Sequence, residues 1–492
     1  MERYTVYDPY AGVYSFDSEF PEAEVNLSRK EKVFVEKKAT KQNIRRDFFW
    51  NAAGSLVYAL ASIILSFVVI RLAGSEEGGI FGFGFSTLGQ QMFIIAYFGI
   101  RPFHITDRGM EYRFQEYLLA RHLTTGLAVL GTALFLGGMY MLGRYSSHKA
   151  WILFFLCGYK IFDGYADVYE SELQRIGYLY CTGQSLFFRT LASVSVLIVT
   201  LWMHGGLALA SGLAVIMQGV GTYVFAVRVL RKRRKDAPVL KTADLQECPE
   251  HTGAQEGDAS LERMQCFRKS CRLLKNTALL FVSVFLDFYV FSASKYAVDN
   301  RMSSTVSGFY NILFMPASFI YLIANFMIRP TLTTLADQFK AGEHSAFRAT
   351  IRRMTVLVAG LSLLILLGGA VFGKPALWIL EWMLGASAQG MLLKNYGTFL
   401  LLLAGGGFYA LANVFYYVLV TIRGQKSIFV SYGISCIAAA CLAGPCIGRM
   451  GLFGGALSYL CMMVLLLLLF VFFTMRRIDH LPCAQEDTVE NR

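Results

Sequence analysis

Apolar residues gather in long blocks separated by short polar stretches, and the blocks recur along almost the whole chain. Twelve of them fall at roughly 48–71, 80–100, 122–142, 150–168, 185–203, 206–229, 275–294, 307–328, 354–372, 396–420, 428–447 and 453–474. Each is close to the ~20 apolar residues a helix needs to cross a bilayer. Runs such as Leu465 to Leu469 lack the two-residue alternation of a membrane β-barrel. In lipid the backbone must satisfy its own polar groups within each segment, so helices are expected throughout. The predicted fold is all-α, with twelve transmembrane helices.

Composition agrees. Of 492 residues 55% are hydrophobic and 16% charged, with a mean hydropathy of +0.47, where a soluble domain carries about 25% charged residues. That excludes a disordered chain, a collagen and an ordinary cytosolic enzyme. The net charge of +12 would suggest nucleic acid in a soluble protein. In a membrane protein it points instead to inside loops rich in Lys and Arg. A basic run from Arg29 to Arg46 abuts the first span, and Arg231 to Lys235, Arg348, Arg352, Arg353, Arg423 and Lys426 fall in loops on the same side. Both termini are therefore predicted inside, with no cleavable signal peptide and no nucleic-acid partner. Trp378 and Trp382, spaced i,i+4 beyond the ninth span, predict a short helix along the opposite membrane surface.

The polar stretch 231–274, with Pro238, Pro249, Gly253 and Gly257, reads as a linker dividing the spans six and six. The expected organisation is a tail at 1–47, one lobe at 48–230, the linker, a second lobe at 275–475 and a tail at 476–492. The lobes look related. Ala96-Tyr97-Phe98-Gly99-Ile100-Arg101-Pro102 closes the second span and Ala324-Asn325-Phe326-Met327-Ile328-Arg329-Pro330 the eighth. An even number of spans separates the copies, so the predicted pseudo-two-fold axis runs along the membrane normal.

Ionisable residues inside spans are the candidates for function, because each costs at least ~2.5 kcal/mol at mid-bilayer. Lys160, Asp163 and Asp167 share one face of the fourth span and Arg189 lies in the fifth. They form either a cationic patch for an anionic group or a structural ion pair with a snorkelling arginine. Asp287 in the seventh span is a candidate proton or sodium site, or a partner for Lys295 two turns on. Arg71, Arg101 and Arg329 end spans, where capping or snorkelling explains them, and Arg71 is kept among the candidate cavity cations. Gln90, Gln91, Gln218, Asn311 and Asn413 are expected to join helices. The chain has no Walker A sequence, no metal-spaced histidines and no Cys-x-x-Cys.

Three features carry a family resemblance. They are Arg71-Leu72-Ala73-Gly74-Ser75-Glu76-Glu77-Gly78-Gly79-Ile80-Phe81 between spans one and two, the amphipathic segments after spans two and eight, and Asp163…Asp167-Val168…Gln174-Arg175…Gly177…Leu179 followed by Arg189. Over about residues 45–475 the chain resembles the polysaccharide flippases of the multidrug/oligosaccharidyl-lipid/polysaccharide exporter superfamily. The resemblance implies a non-enzymatic protein of the bacterial plasma membrane that moves undecaprenyl-diphosphate-linked oligosaccharide from the inner to the outer leaflet by alternating access. Arg189, Lys160, Asp163, Arg71 and Lys295 would serve the cavity, and Asp163 or Asp287 would couple H+ or Na+. No cofactor is implied. A polysaccharide polymerase and glycosyltransferases would act beside it, among membrane lipids. Lipid II flippases of the superfamily typically have fourteen spans, which sets that subgroup apart. The alternatives are a cation-coupled multidrug exporter of the same superfamily, or a membrane-embedded polymerase or glycosyltransferase with catalytic residues in an outer loop, where Glu381 is the one acid of the longest loop. At this level Arg189→Ala is expected to stop transport without affecting insertion.

Overall fold

The computed structural model describes residues 41–107, 111–236, 256–328, 331–385 and 390–478. The basic residues from Arg29 to Lys38, Arg108 and Arg329 lie outside the described residues.

The first unit holds α1 (Lys41–Ala73), α2 (Ser75–Tyr97), α3 (Ile100–Thr106), α4 (Phe114–Met141), α5 (Ser147–Arg175), α6 (Leu179–Trp202) and α7 (206–236). Next come α8 (Glu256–Arg301), α9 (Ser304–Ile328), α10 (Leu332–Lys340), α11 (His344–Leu384), α12 (Met391–Lys394) and α13 (Tyr396–Thr421). The last helical stretch, Gln425–Ile478, is two helices meeting at Gly451, whose φ of 60° and ψ of −137° only glycine adopts readily. They are α14 (425–450) and α15 (452–478).

Among the described residues, ten helical stretches are long and apolar enough to cross a membrane. Two more follow from what the composition conceals. The final stretch counts as α14 and α15, and α5 has 29 residues, which at 1.5 Å per residue span about 43 Å. Its buried Lys160, Asp163, Asp167 and Glu170 lower its hydropathy. Among the described residues the protein is thus a multi-pass, all-α membrane protein of twelve spans.

The chain divides between Val282 and Ser283. Residues 256–274, read from sequence as linker, are helical, because α8 begins at Glu256. Its first half packs on the first unit. Ser270 donates to the Glu116 carbonyl at 2.9 Å, and Leu273 joins a core with Tyr117, Val168 and Leu173.

In the first unit α2 is the interior helix, with 78% of its apolar window buried. It ends at Phe98 and Gly99, both left-handed at φ 51° and 67°. Arg121 of α4 satisfies the carbonyls this break exposes, donating to Ala96 at 2.6 Å and Tyr97 at 2.8 Å. The loop into α4 is tied by Asp107, which accepts from the amides of Glu111 and Tyr112 and from the Tyr117 hydroxyl.

Helices α1 and α6 cross at glycines. A Cβ on Gly54 would sit 2.6 Å from the Gly183 carbonyl oxygen, and one on Gly183 would strike the backbone of Trp50. The obstacle is backbone on both sides and cannot rotate away, as expected where small residues let membrane helices meet. Gly183→Ala should therefore overpack the crossing, at about 1–3 kcal/mol, and lower the thermal midpoint of the purified protein. An unchanged midpoint would rule out the crossing.

In the second unit α13 is the interior helix, 67% buried over its window, whereas α11 is peripheral at 11%. The segment with Trp378 and Trp382 is not a separate surface helix. Helix α11 runs unbroken for 41 residues through Pro375. Pro375 lacks the amide that would bond the Val371 carbonyl; one residue before that carbonyl, Tyr396 Oη of α13 donates to the Ala370 carbonyl at 2.7 Å. Glu381 ends this helix. Its buried carboxylate accepts from the amides of Gly390, Leu392 and Leu393 at 3.2, 2.7 and 2.8 Å. Glu381→Ala removes the shared acceptor and should cost about 1.5–3 kcal/mol, as for hydrogen bonds to charged groups. Faster amide exchange across 390–394 is the signature to measure.

Candidate functional site

Helix α5 organises the polar interior of the first unit. Lys160, Asp163, Asp167 and Glu170 fall at i, i+3, i+7 and i+10, along one helical face, and each is at most 5% exposed. Burying four charges is tolerable only if each is paired or hydrogen-bonded, and the neighbouring helices provide this.

From α1, Tyr58 Oη donates to Asp163 Oδ2 at 3.1 Å and accepts from Lys160 Nζ at 2.7 Å. The same ammonium lies 3.9 Å from the ring centre of Phe85. From α7, Gln218 donates to Asp163 Oδ1. From α6, Arg189 stands between two acids, 3.4 Å from Asp163 Oδ1 and 3.4 Å from Glu170 Oε1. Glu170 also accepts from Ser185 at 2.9 Å. Asp167 is held by Arg101 of α3 at 2.6 Å and by Arg121 of α4 at 2.8 Å. A partly open cleft borders this network, lined by Tyr58, Gln90, Phe93, Tyr97, Arg101, Asp163, Asp167, Glu170, Leu186 and Arg189.

A second cluster lies beside it. His104 of α3 is wholly buried, stacks on Tyr117 at 3.9 Å and donates from Nε2 to Glu172 at 2.9 Å. Burial pushes this imidazole below its usual range, against the pull of Glu172. Glu172 also accepts from Arg175 at 3.0 Å and Arg234 at 3.1 Å.

Lys160, Asp163 and Arg189 thus come together, and the cations are engaged by acids or a tyrosine hydroxyl. Arg189 is 1% exposed and does not snorkel. Arg101 does more than end a span, since it clamps Asp167 and also donates to Gln174 at 2.9 Å. Arg71 is exposed at the end of α1, away from the cleft lining. Sequence reasoning missed Arg121 because it started the third span at 122, whereas α4 begins at Phe114 and encloses it. It also passed over Tyr58, an ordinary aromatic until its hydroxyl is seen between two charges.

In the second unit the expected partnership of Asp287 with Lys295 does not form. Eight helical residues separate them by about 12 Å along the axis. Asp287 instead accepts from Tyr409 Oη of α13, 3.0 and 2.9 Å from its two oxygens. Lys295 is 6% exposed, with Nζ 4.1 Å from the ring centre of Phe314 and 5.8 Å from that of Phe291. It makes no ion pair with a described residue. Asn413 donates to Asn325 at 2.9 Å, joining α13 to α9.

No family model matches the sequence, and no curated protein matches it. Solved structures do. An inward-facing multidrug-resistance MATE transporter of the MOP superfamily superposes with a TM-score of 0.57 at 11% identity, over 86% of this chain and 94% of that one. The lipid II flippase MurJ in an inward closed conformation gives 0.56 at 12%, over 88% and 87%. A mutant of the Vibrio cholerae MATE transporter VcmN gives 0.53 at 13%, over 89% and 98%. At such identities the likeness is one of fold alone.

Proposed function

We propose that this protein is a flippase that carries undecaprenyl-diphosphate-linked oligosaccharide from the inner to the outer leaflet of a bacterial plasma membrane by alternating access. Both termini lie on the cytoplasmic side, and the product feeds a polysaccharide polymerase downstream of the glycosyltransferases that build it. The fold alone serves multidrug transporters and a lipid flippase alike, so the reading rests on side chains. Lys295 is the observation that carries it. A buried ammonium in no ion pair with a described residue is unfavourable unless it has a ligand to meet, and a diphosphate supplies that ligand. An exporter of lipophilic cations calls for accessible unneutralised acid, whereas each acid of the first-unit cleft is held by arginine. Asp287, bonded to a tyrosine and not to a cation, is the proposed coupling site for H+ or Na+.

The reading is tested in proteoliposomes loaded with lipid-linked oligosaccharide from cells that make it, following its appearance at the far leaflet. Transport that an imposed ion gradient accelerates, with the acceleration lost in Asp287→Asn, is expected. Efflux of ethidium without lipid movement would favour the exporter.

A further inference from the structure

We propose that the cleft of the first unit is a binding site for a neutral sugar ring of the cargo, and not for its diphosphate. The inference rests on the flippase reading and divides the cargo's recognition by chemistry.

Both cations on the cleft wall already have acids. Arg101 is paired with Asp167, and Arg189 lies between Asp163 and Glu170. A diphosphate entering here would have to displace a carboxylate from its arginine and then lie beside the displaced charge. The lining presents three carboxylates against two guanidinium groups, and the cations behind it, Arg121 and Lys160, are engaged by Asp167 and Tyr58. Such a wall is zwitterionic. A ligand that donates and accepts hydrogen bonds without net charge uses it fully, and sugar hydroxyls do both.

Two further observations point to a sugar. Arg189 is 99% buried yet borders the cleft; its Nη1 has the Asp163 ion-pair contact at 3.4 Å, whereas its Nε has no hydrogen-bond acceptor among the described residues. That donor remains for a ligand oxygen. Phe93 and Tyr97, one turn apart on α2, stack with ring centres 5.6 Å apart and planes 20° from parallel, giving the cleft a flat aromatic side. The C–H face of a pyranose packs on such a surface while its hydroxyls reach Gln90 and the carboxylates.

The test measures binding of two lipids to the full-length protein in nanodiscs. One is undecaprenyl diphosphate alone, and the other is the same lipid carrying the oligosaccharide, extracted from producing cells. Gln90→Ala and Phe93→Leu should weaken the glycosylated lipid about tenfold and leave the bare lipid unchanged. Variants with wild-type melting curves are compared, and Phe93→Leu keeps apolar volume where Gln90→Ala does not. Equal weakening of both lipids would make the cleft an anion site and overturn the proposal. So would no effect on either. Failure of wild-type protein to bind either lipid would instead remove the flippase reading, and the inference with it.

Discussion

Arg189→Ala should cost the protein about 3–5 kcal/mol of stability, the usual penalty for stripping one member from a buried ion cluster. The side chain is 1% exposed and lies 3.4 Å from both Asp163 and Glu170. Its removal leaves Asp163 with Tyr58 and Gln218, and Glu170 with Ser185 alone. Two carboxylates would then share one desolvated space without their cation. The expectation from sequence, loss of transport with insertion intact, gives way to loss of the fold around α5 and α6. Adding Glu170→Gln to Arg189→Ala should recover part of the melting temperature, because it removes the less well-bonded acid. Arg189→Lys should not restore it, since one ammonium cannot reach both acids as a planar guanidinium does. A melting curve for Arg189→Ala that matches wild type would show that the cluster does not stabilise the unit.

The opposite pattern is expected at Lys295. Lys295→Met should raise stability and lower transport together. Holding an ammonium in the spans costs about 2.5–3.5 kcal/mol, only partly offset by the rings of Phe314 and Phe291, since such cation–π contacts contribute roughly 0.5–2 kcal/mol. Methionine fills similar volume without the charge. If Lys295 meets the diphosphate, the lost hydrogen bond to a charged group is about 1.5–3 kcal/mol, or about 10- to 150-fold in transport at 1.4 kcal/mol per tenfold. Lys295→Arg should retain more transport than Lys295→Met. A methionine variant with unchanged transport would remove Lys295 from the substrate path, whatever its stability.

The spans were legible because lipid imposes a simple rule on sequence. Every apolar block gave a helix, and the division near Gly451 was visible as a break in hydrophobicity. Helix ends were less so. Helices α4, α8 and α11 extend well beyond their apolar cores, and this hid Arg121 within α4 and made a separate helix of the Trp378–Trp382 turn. The site was partly legible for the same reason. Lys160, Asp163 and Asp167 stood out on one face of α5, but their partners come from Tyr58, Arg101, Arg121, Arg189 and Gln218, on five other helices. Those pairings are tertiary, and no local spacing encodes them. Where spacing did suggest a pair, in Asp287 and Lys295, the axial rise of the helix rules it out, and a tyrosine on α13 takes the acid instead.

The flippase reading is tested most directly by which leaflet holds the lipid-linked oligosaccharide in cells from which this protein has been deleted. Reading the leaflet with a membrane-impermeant probe for the glycan, the account predicts accumulation on the cytoplasmic side, reversed when the wild-type gene is restored. Repeat units that reach the outer leaflet unpolymerised in the deleted cells would contradict it and point to a polymerase.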